Sequence, residues 1–96
     1  MRPSILLAEK RDEIIQAISR AHVHNPRVFG SVLDHIDSET SDLDLLVDAP
    51  PGTTLFDLGG LQEELEDLLG IRVDVLTPKD IPQKFRAEVL AHARPL

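Results

Sequence analysis

Two aspartates and a Gly-Ser pair form the pattern in this chain that is most typical of a binding or catalytic site. Asp42 and Asp44 open an apolar segment one residue apart, and Gly30-Ser31 ends an earlier apolar run. Because side chains alternate between the faces of a strand, both carboxylates should point the same way, about 7 Å apart. Gly30 would let the backbone approach a phosphate, and Ser31 would open a helical turn whose N–H groups favour an anion. The pattern therefore suits Mg²⁺ and the phosphates of a nucleotide.

A third aspartate, Asp74, lies in a later apolar run between Val73 and Val75. Aspartate is disfavoured inside strands and is rarely buried without a partner. A neighbouring strand that brings Asp74 opposite Asp42 and Asp44 would form a cluster of three carboxylates. Such carboxylates repel one another unless a cation lies among them, so the cluster also indicates a metal site.

Plainer interpretations of the same residues stay open. Asp42 and Asp44 could be the solvated start of a strand. Asp74 could lie on an open sheet face and pair with Arg72 or another surface base. Gly30 could be an ordinary glycine at the junction of a strand and a turn.

The elements that position these residues can be predicted from hydrophobic periodicity. Ser4 can cap a helix that continues to about His22, and Pro26 disfavours its continuation. A short strand is expected at 27–29, and the segment after Gly30 could form a helical turn. A second strand is expected at 43–47, and its apolar face consists of Leu43, Leu45 and Val47.

A longer helix should follow the second strand. Thr54 and Asp57 form a capping box, and Gly70 should stop the helix. Gly59 and Gly60 weaken the helix and are expected to permit close packing on the sheet. The apolar stripe at helical spacing consists of Leu55, Leu58, Leu61, Leu65 and Leu68.

The rest of the chain predicts a third strand and a final helix. Residues 71–76 alternate as a strand, Thr77-Pro78 ends it, and Asp80 is expected to be the N-cap of the helix. The stripe that marks this helix consists of Ile81, Phe85, Val89 and Ala93. The order α-β-(short α)-β-α-β-α indicates an α/β (α+β) fold, with a small mixed β-sheet and helices packed on one face.

Composition and charge narrow the function classes. The 96 residues suit one domain, 1–96, and the absence of cysteine excludes disulfides and thiolate metal sites. A formal net charge of −7 argues against direct binding of nucleic acid, which needs clustered Lys and Arg. No apolar run reaches the length of a membrane span, and the cytoplasm is the expected location. So small a domain leaves little room for an acceptor pocket, so an enzyme of this size should act on a large substrate.

The combined motifs resemble the nucleotidyltransferase fold of the DNA polymerase beta superfamily. The resemblance rests on Gly30-Ser31, on Asp42-Leu43-Asp44 after a polar spacer, and on Asp74 in the following strand. Segments 55–58 and 73–78 further resemble the minimal nucleotidyltransferases (MNT), and the similarity covers nearly the whole chain. Members of that group are stand-alone catalytic domains, often encoded beside a HEPN-domain protein as antitoxin and toxin.

The resemblance implies a role for each motif residue. Asp42 and Asp44 would bind two Mg²⁺ ions that hold ATP, and Asp74 would complete one metal site and help activate the attacking hydroxyl. Gly30 and Ser31 would hold the β- and γ-phosphates. For an MNT antitoxin the acceptor hydroxyl belongs to the HEPN toxin, commonly to a tyrosine, and the two proteins form a hetero-oligomeric complex.

One segment departs from the family pattern. After Gly-Ser-Val such proteins usually read Ala-Arg-Gly-Glu, whereas this chain reads Leu33-Asp34-His35-Ile36. Asp34 near a triphosphate would be electrostatically unfavourable unless it faces away. This departure favours a second hypothesis, an antitoxin that neutralises its toxin by binding alone, whereas the three aspartates favour the enzyme. A third hypothesis is transfer of a nucleotide to a small molecule such as an aminoglycoside. It is less favoured, because such enzymes usually require an additional domain that binds the acceptor.

Overall fold

A four-stranded mixed sheet in the order β3-β2-β1-β4 forms the centre of the molecule. The computed structural model describes residues 1–32, 37–38 and 40–96. Its strands are β1 His24–Phe29, β2 Leu43–Asp48, β3 Val73–Leu76 and β4 Arg94–Pro95. β2 runs antiparallel to β1 and parallel to β3, and β4 pairs antiparallel with β1. The predicted mixed sheet is confirmed, whereas β4, at two residues, is too short for periodicity to reveal.

One face of the sheet forms the core. Leu43, Leu45 and Val47 of β2 are completely buried, as strand alternation predicts. Val73 and Val75 of β3 stand in register with the first two of them and are buried on the same face. Alternation therefore sends the even-numbered residues of both strands to the opposite face.

Within the described residues, four α-helices accompany the sheet: α1 Pro3–Glu9, α2 Arg11–Arg20, α3 Leu55–Leu69 and α4 Gln83–His92. The single N-terminal helix predicted to begin at Ser4 is instead two helices that meet at Lys10, whose φ of −108° and ψ of 16° are not helical. Both α1 and α2 bury side chains, among them Leu6 in α1 and Ile14 in α2. The break at Lys10 therefore lies between two helices that both contribute to the core, and hydrophobic spacing alone does not reveal it.

Helix α3 has the ends that the sequence predicts. Thr54 Oγ1 accepts a hydrogen bond from the Asp57 N–H, and the Asp57 carboxylate accepts one from the Thr54 N–H. Gly70, with φ of +70°, ends the helix in the left-handed conformation. The buried side chains of α3 are Leu61, Leu65 and Leu69.

The solvent-facing side of α3 begins at its first turn. Leu55 and Phe56 are 82% and 92% exposed, so Leu55 does not belong to the buried stripe. The expectation that Gly59 and Gly60 permit close packing is wrong, because a Cβ at either position would meet nothing within 4 Å. These glycines lie on the open side of the helix.

Helix α4 is the element that the sequence predicts least well. Asp80 is not its N-cap but completes a second capping box with Thr77, around a 3₁₀ turn at Pro78–Asp80. Ile81 is buried but precedes the helix, and α4 itself has no buried residue. Phe85 is half exposed. The predicted stripe therefore does not correspond to a buried helix face.

The face of the sheet opposite the main core is not uniformly solvated. Leu46 points to that face of β2 and is nevertheless completely buried. Asp44 and Asp48, on either side of it on the same face, are partly exposed. Over the described residues, no helix has the length and apolar character needed to cross a membrane.

Candidate active site

The register of the two parallel strands places two aspartates side by side. Asp44 of β2 pairs with Asp74 of β3, and on its other side Asp44 pairs with Phe29, the last residue of β1. Neighbouring strands lie about 4.8 Å apart, so registered side chains on one face can interact. Asp42 lies just before β2. The fold therefore brings together Asp44 and Asp74, which are separated by thirty positions in the sequence.

The electrostatics of this pair are those of crowded carboxylates. The pKa of Asp44 is raised to about 6, chiefly by burial, and also by the negative charges of Asp74 and Asp42 and by a hydrogen bond to the Asp74 side chain. No described residue supplies an ion pair to Asp74, so the alternative of a pairing with Arg72 is not realised over the described ranges. A cation at this point would relieve the repulsion.

Gly30 closes the site from the end of β1. It begins a 3₁₀ turn at Gly30–Val32, which is the helical turn expected after this glycine, and its φ is +81°. A Cβ at Gly30 would lie 2.5 Å from Oδ2 of Asp44, closer than real Cβ contacts. The absence of a side chain therefore lets the Asp44 carboxylate lie directly against the turn.

The remaining predicted nucleotide-binding residue, Ser31, belongs to the same turn by its backbone. Its side chain lies outside the described part of the chain, as do all of Leu33, Asp34, His35 and Ile36, the segment that departs from the family pattern. Ser31 is placed near Asp44 because it directly follows Gly30, which lies against the Asp44 carboxylate.

The donor set suits a metal that shares its ligands with a nucleotide. Among the described residues, no three His, Cys, Asp or Glu side chains are arranged to hold an ion by themselves. Mg²⁺ is usually bound by one or two carboxylates, together with phosphate oxygens and water, rather than by a cage of protein ligands. Asp44 and Asp74 match the two-carboxylate arrangement, and Gly30, which has no side chain, lies against Asp44.

Two residues of α3, which the sequence analysis did not select, contact the strand that bears Asp74. Glu66 Oε2 accepts a hydrogen bond from the Val73 N–H at 3.2 Å, and Gln62 Oε1 accepts one from the Val75 N–H at 3.1 Å. The available signal was a pair of polar acceptors four residues apart on a helix. Such pairs are common on solvent-facing helix surfaces, so the signal is weak.

Asp37 anchors the segment that leads to Asp42. Its carboxylate accepts a hydrogen bond of 2.9 Å from the backbone N–H of Ser4, in the first turn of α1, and only 7% of Asp37 is exposed. This backbone hydrogen bond lowers the pKa of Asp37. The first turn of α1 is thus capped by a distant side chain, because its own N-cap, Arg2, makes no side-chain cap bond.

A cleft of about 580 Å³ opens at the other end of β2. Residues 48–55 and 77–80, with Leu58, line it. Asp48 lies four positions after Asp44 along the strand, which corresponds to about 13 Å. The cleft is therefore distinct from the carboxylate site.

Comparison with known proteins agrees with this geometry. Residues 11–96 match the family model described as "Nucleotidyltransferase domain". A protein of Methanocaldococcus jannaschii named "Putative protein adenylyltransferase MJ0435" is 38% identical over 85 residues, which cover 88% of this chain and 91% of that protein. "Protein adenylyltransferase MntA" of Thermococcus cleftensis is 36% identical over 87 residues, covering 91% of this chain and 84% of the relative.

Solved structures show the same fold. The "Structure of putative minimal nucleotidyltransferase" superposes with a TM-score of 0.85 at 39% identity, over 97% of this chain and 95% of that one. A toxin–antitoxin crystal structure with AMP-PNP gives a TM-score of 0.75 at 19% identity, over 88% of this chain and 69% of its counterpart. At that identity the second likeness concerns the fold alone.

Proposed function

This chain belongs to the nucleotidyltransferase family, and from that premise we propose that it is a Mg²⁺-dependent protein adenylyltransferase that acts as an antitoxin. It would transfer AMP from ATP to a hydroxyl of a toxin partner and thereby neutralise the toxin. The observation that carries the proposal is the meeting of Gly30, Asp44 and Asp74 at one point of the fold. The relatives named protein adenylyltransferase support the choice of a protein as acceptor.

Each site residue receives a role in this proposal. Asp42 and Asp44 hold the metal sites, and Asp74 completes one of them. Gly30 and Ser31 hold the β- and γ-phosphates of ATP through the turn that follows β1. Mg²⁺, when bound as two ions, supplies stabilisation of the negative charge on the attacking and leaving oxygens.

The reaction balances as a simple displacement. The acceptor hydroxyl oxygen forms a bond to the α-phosphorus of ATP, the bond from that phosphorus to the bridging oxygen breaks, and pyrophosphate leaves. Asp74 helps to withdraw the hydroxyl proton as the new bond forms. The raised pKa of Asp44 means that this carboxylate must lose its proton before the site can hold a cation.

We further propose that the acceptor is a HEPN-family toxin, modified on a tyrosine within a hetero-oligomeric complex in the cytoplasm. The 96 residues act as one domain, 1–96, and the partner then supplies the acceptor. Toxin–antitoxin assemblies among the fold neighbours support a partner of this kind. The net charge of −7 makes direct binding to nucleic acid unfavourable.

A second candidate function is an antitoxin that acts by binding alone. It is favoured by Asp34, an acid where such proteins usually have an arginine, because a negative charge there opposes triphosphate binding. The enzymatic candidate needs Asp42, Asp44 and Asp74, which a binding module has no need to hold together.

One experiment separates the two. The toxin partner is co-expressed with the wild type or with the double variant Asp42→Asn, Asp44→Asn, and its intact mass is measured. A matched control, Glu63→Gln with Asp67→Asn, changes the net charge equally on the exposed surface of α3. Addition of AMP with the wild type and the control, but not with the aspartate variant, supports the enzyme. An unmodified toxin in a stable complex with all three proteins would identify the binding antitoxin.

A further inference from the structure

Strand β3 is the edge of the sheet, and two of its backbone N–H groups point away from β2. The Leu43 N–H donates to the Arg72 carbonyl, which shows that position 72 faces β2. In a parallel pair alternate residues face the same neighbour, so Asp74 also faces β2 through its backbone. Val73 and Val75 therefore direct their N–H groups outward, to the side of β3 on which none of the described strands lies.

Helix α3 supplies the missing acceptors. Gln62 and Glu66, one helical turn apart, accept from the Val75 and Val73 N–H groups at 3.1 and 3.2 Å. All four residues are buried or half-buried. The helix thus bonds to β3 at two points, and Asp74 lies between those points.

These two hydrogen bonds oppose movement of β3 along its own axis, which core packing alone restrains less. Apolar contacts of Val73 and Val75 are non-directional, whereas hydrogen bonds require a particular distance and angle. A shift of β3 by one residue would turn Asp74 into the core, because the side-chain period of a strand is two. β3 has only four residues, so the two bonds from α3 add to a short ladder with β2 in opposing such a shift.

We infer that Gln62 and Glu66 are positioning residues that hold Asp74 beside Asp44 by fastening the backbone on both sides of it. The inference rests on the proposed function, because it gives that pair of carboxylates the task of binding metal with nucleotide. Residues that orient metal ligands from outside the ligand set typically change metal affinity by about 10- to 100-fold when they are replaced. Gln62 and Glu66 would act in this way through the main chain.

The test compares three variants with the wild type. Gln62→Met with Glu66→Met removes both acceptors and keeps the side-chain length. Gln62→Glu with Glu66→Gln exchanges the two residues, so both acceptors and the net charge are retained. Glu63→Met makes one equivalent loss of charge at an exposed position of the same helix.

Two measurements are made on each protein. Amide hydrogen exchange, recorded without metal or nucleotide, should be about tenfold or more faster at Val73 and Val75 in the methionine pair than in the wild type, because N–H groups without acceptors are poorly protected. The affinity for Mn²⁺, titrated in the presence of AMP-PNP, should fall about tenfold in the same variant. The exchanged pair and Glu63→Met should match the wild type in both measurements.

The outcomes test the positioning role of Gln62 and Glu66 separately from the proposed adenylyltransferase function. Equal Mn²⁺ affinity in the wild type and the methionine pair would overturn the positioning role alone, even if exchange became faster. Equal loss in Glu63→Met would assign the effect to charge and would also overturn it. A wild type that takes up no Mn²⁺ with AMP-PNP would overturn the proposed function and this role together. If the methionine pair does not fold, the single variants Gln62→Met and Glu66→Met are measured instead, each at its own amide.

Discussion

Replacing Gly30 by alanine would place a methyl carbon 2.5 Å from Oδ2 of Asp44. Ordinary van der Waals contact begins at 3.4 Å, so the carboxylate and the turn must separate by 3.4 − 2.5, or 0.9 Å. A misplacement of about 1 Å at a reacting centre can reduce the rate by about 100-fold. In addition, the positive φ of +81° should cost alanine about 1–2 kcal/mol of folding stability.

Gly52→Ala is the matched control for this change. Gly52 has a φ of +93°, and a Cβ there would meet nothing within 4 Å, so alanine brings backbone strain without a clash. Gly52→Ala should lose about 1–2 kcal/mol in urea unfolding, and Gly30→Ala, which adds the clash with Asp44, should lose at least as much. Only Gly30→Ala should lose AMP transfer, measured as the initial rate of AMP incorporation into the toxin at saturating ATP and Mg²⁺.

The comparison can refute the reasoning in two ways. A Gly30→Ala protein that transfers AMP at the wild-type rate would show that close approach of Asp44 to the turn has no catalytic importance. A Gly52→Ala protein that slows as much as Gly30→Ala would show that strain, rather than displacement of Asp44, limits the rate. Measuring both at a temperature well below their unfolding transitions keeps loss of folded protein out of the comparison.

Three further predictions concern stability, each measured by urea unfolding of the metal-free protein. The pKa of Asp44 is raised to about 6, so the stability that its protonation contributes is complete below the unfolded value of 3.8 and is lost as the pH rises through about 6. Asp44→Asn should therefore be about 1–2 kcal/mol more stable than the wild type at pH 8, after allowance for solvent screening, and equal to it at pH 3. A variant that is less stable at pH 8 would contradict the cost assigned to burying the Asp44 charge beside Asp74 and Asp42. Leu45→Ala should lose about 2–5 kcal/mol because Leu45 is completely buried, and an unchanged stability would contradict the assignment of β2 faces. Gly59→Ala and Gly60→Ala should each gain about 0.5–1 kcal/mol, since a Cβ meets open space there, and a loss at either site would reveal a contact not seen in the fold.

Much of the local structure was predictable because it depends on residues near one another in the chain. The capping box of Thr54 and Asp57 and the left-handed Gly70 follow from local hydrogen bonding and steric freedom. The apolar face of β2 follows from the two-residue period of a strand. Such rules fail at two places: the N-terminal helix is interrupted at Lys10, and α4 carries an apolar pattern without a buried face.

The candidate site divides in the same way. The residue types, the turn after Gly30 and the position of Asp42 and Asp44 at the start of one strand are all evident from the sequence. Only the tertiary structure decided that Asp44 stands opposite Asp74 and that Gly30 touches Asp44. Strand register and close approach depend on pairing between distant segments, and sequence spacing contains no record of either.

The same reason explains Asp44's raised pKa and the support of β3 by α3. Burial and neighbouring charge act through space, so the pKa of Asp44 depends on residues that the fold collects around it. The acceptors Gln62 and Glu66 have meaning only because β3 is a sheet edge that lies beside that helix. The chemical groups of this protein are thus known from its sequence. Which of them lie in contact is known only from the fold, because long-range packing and hydrogen bonds bring them together.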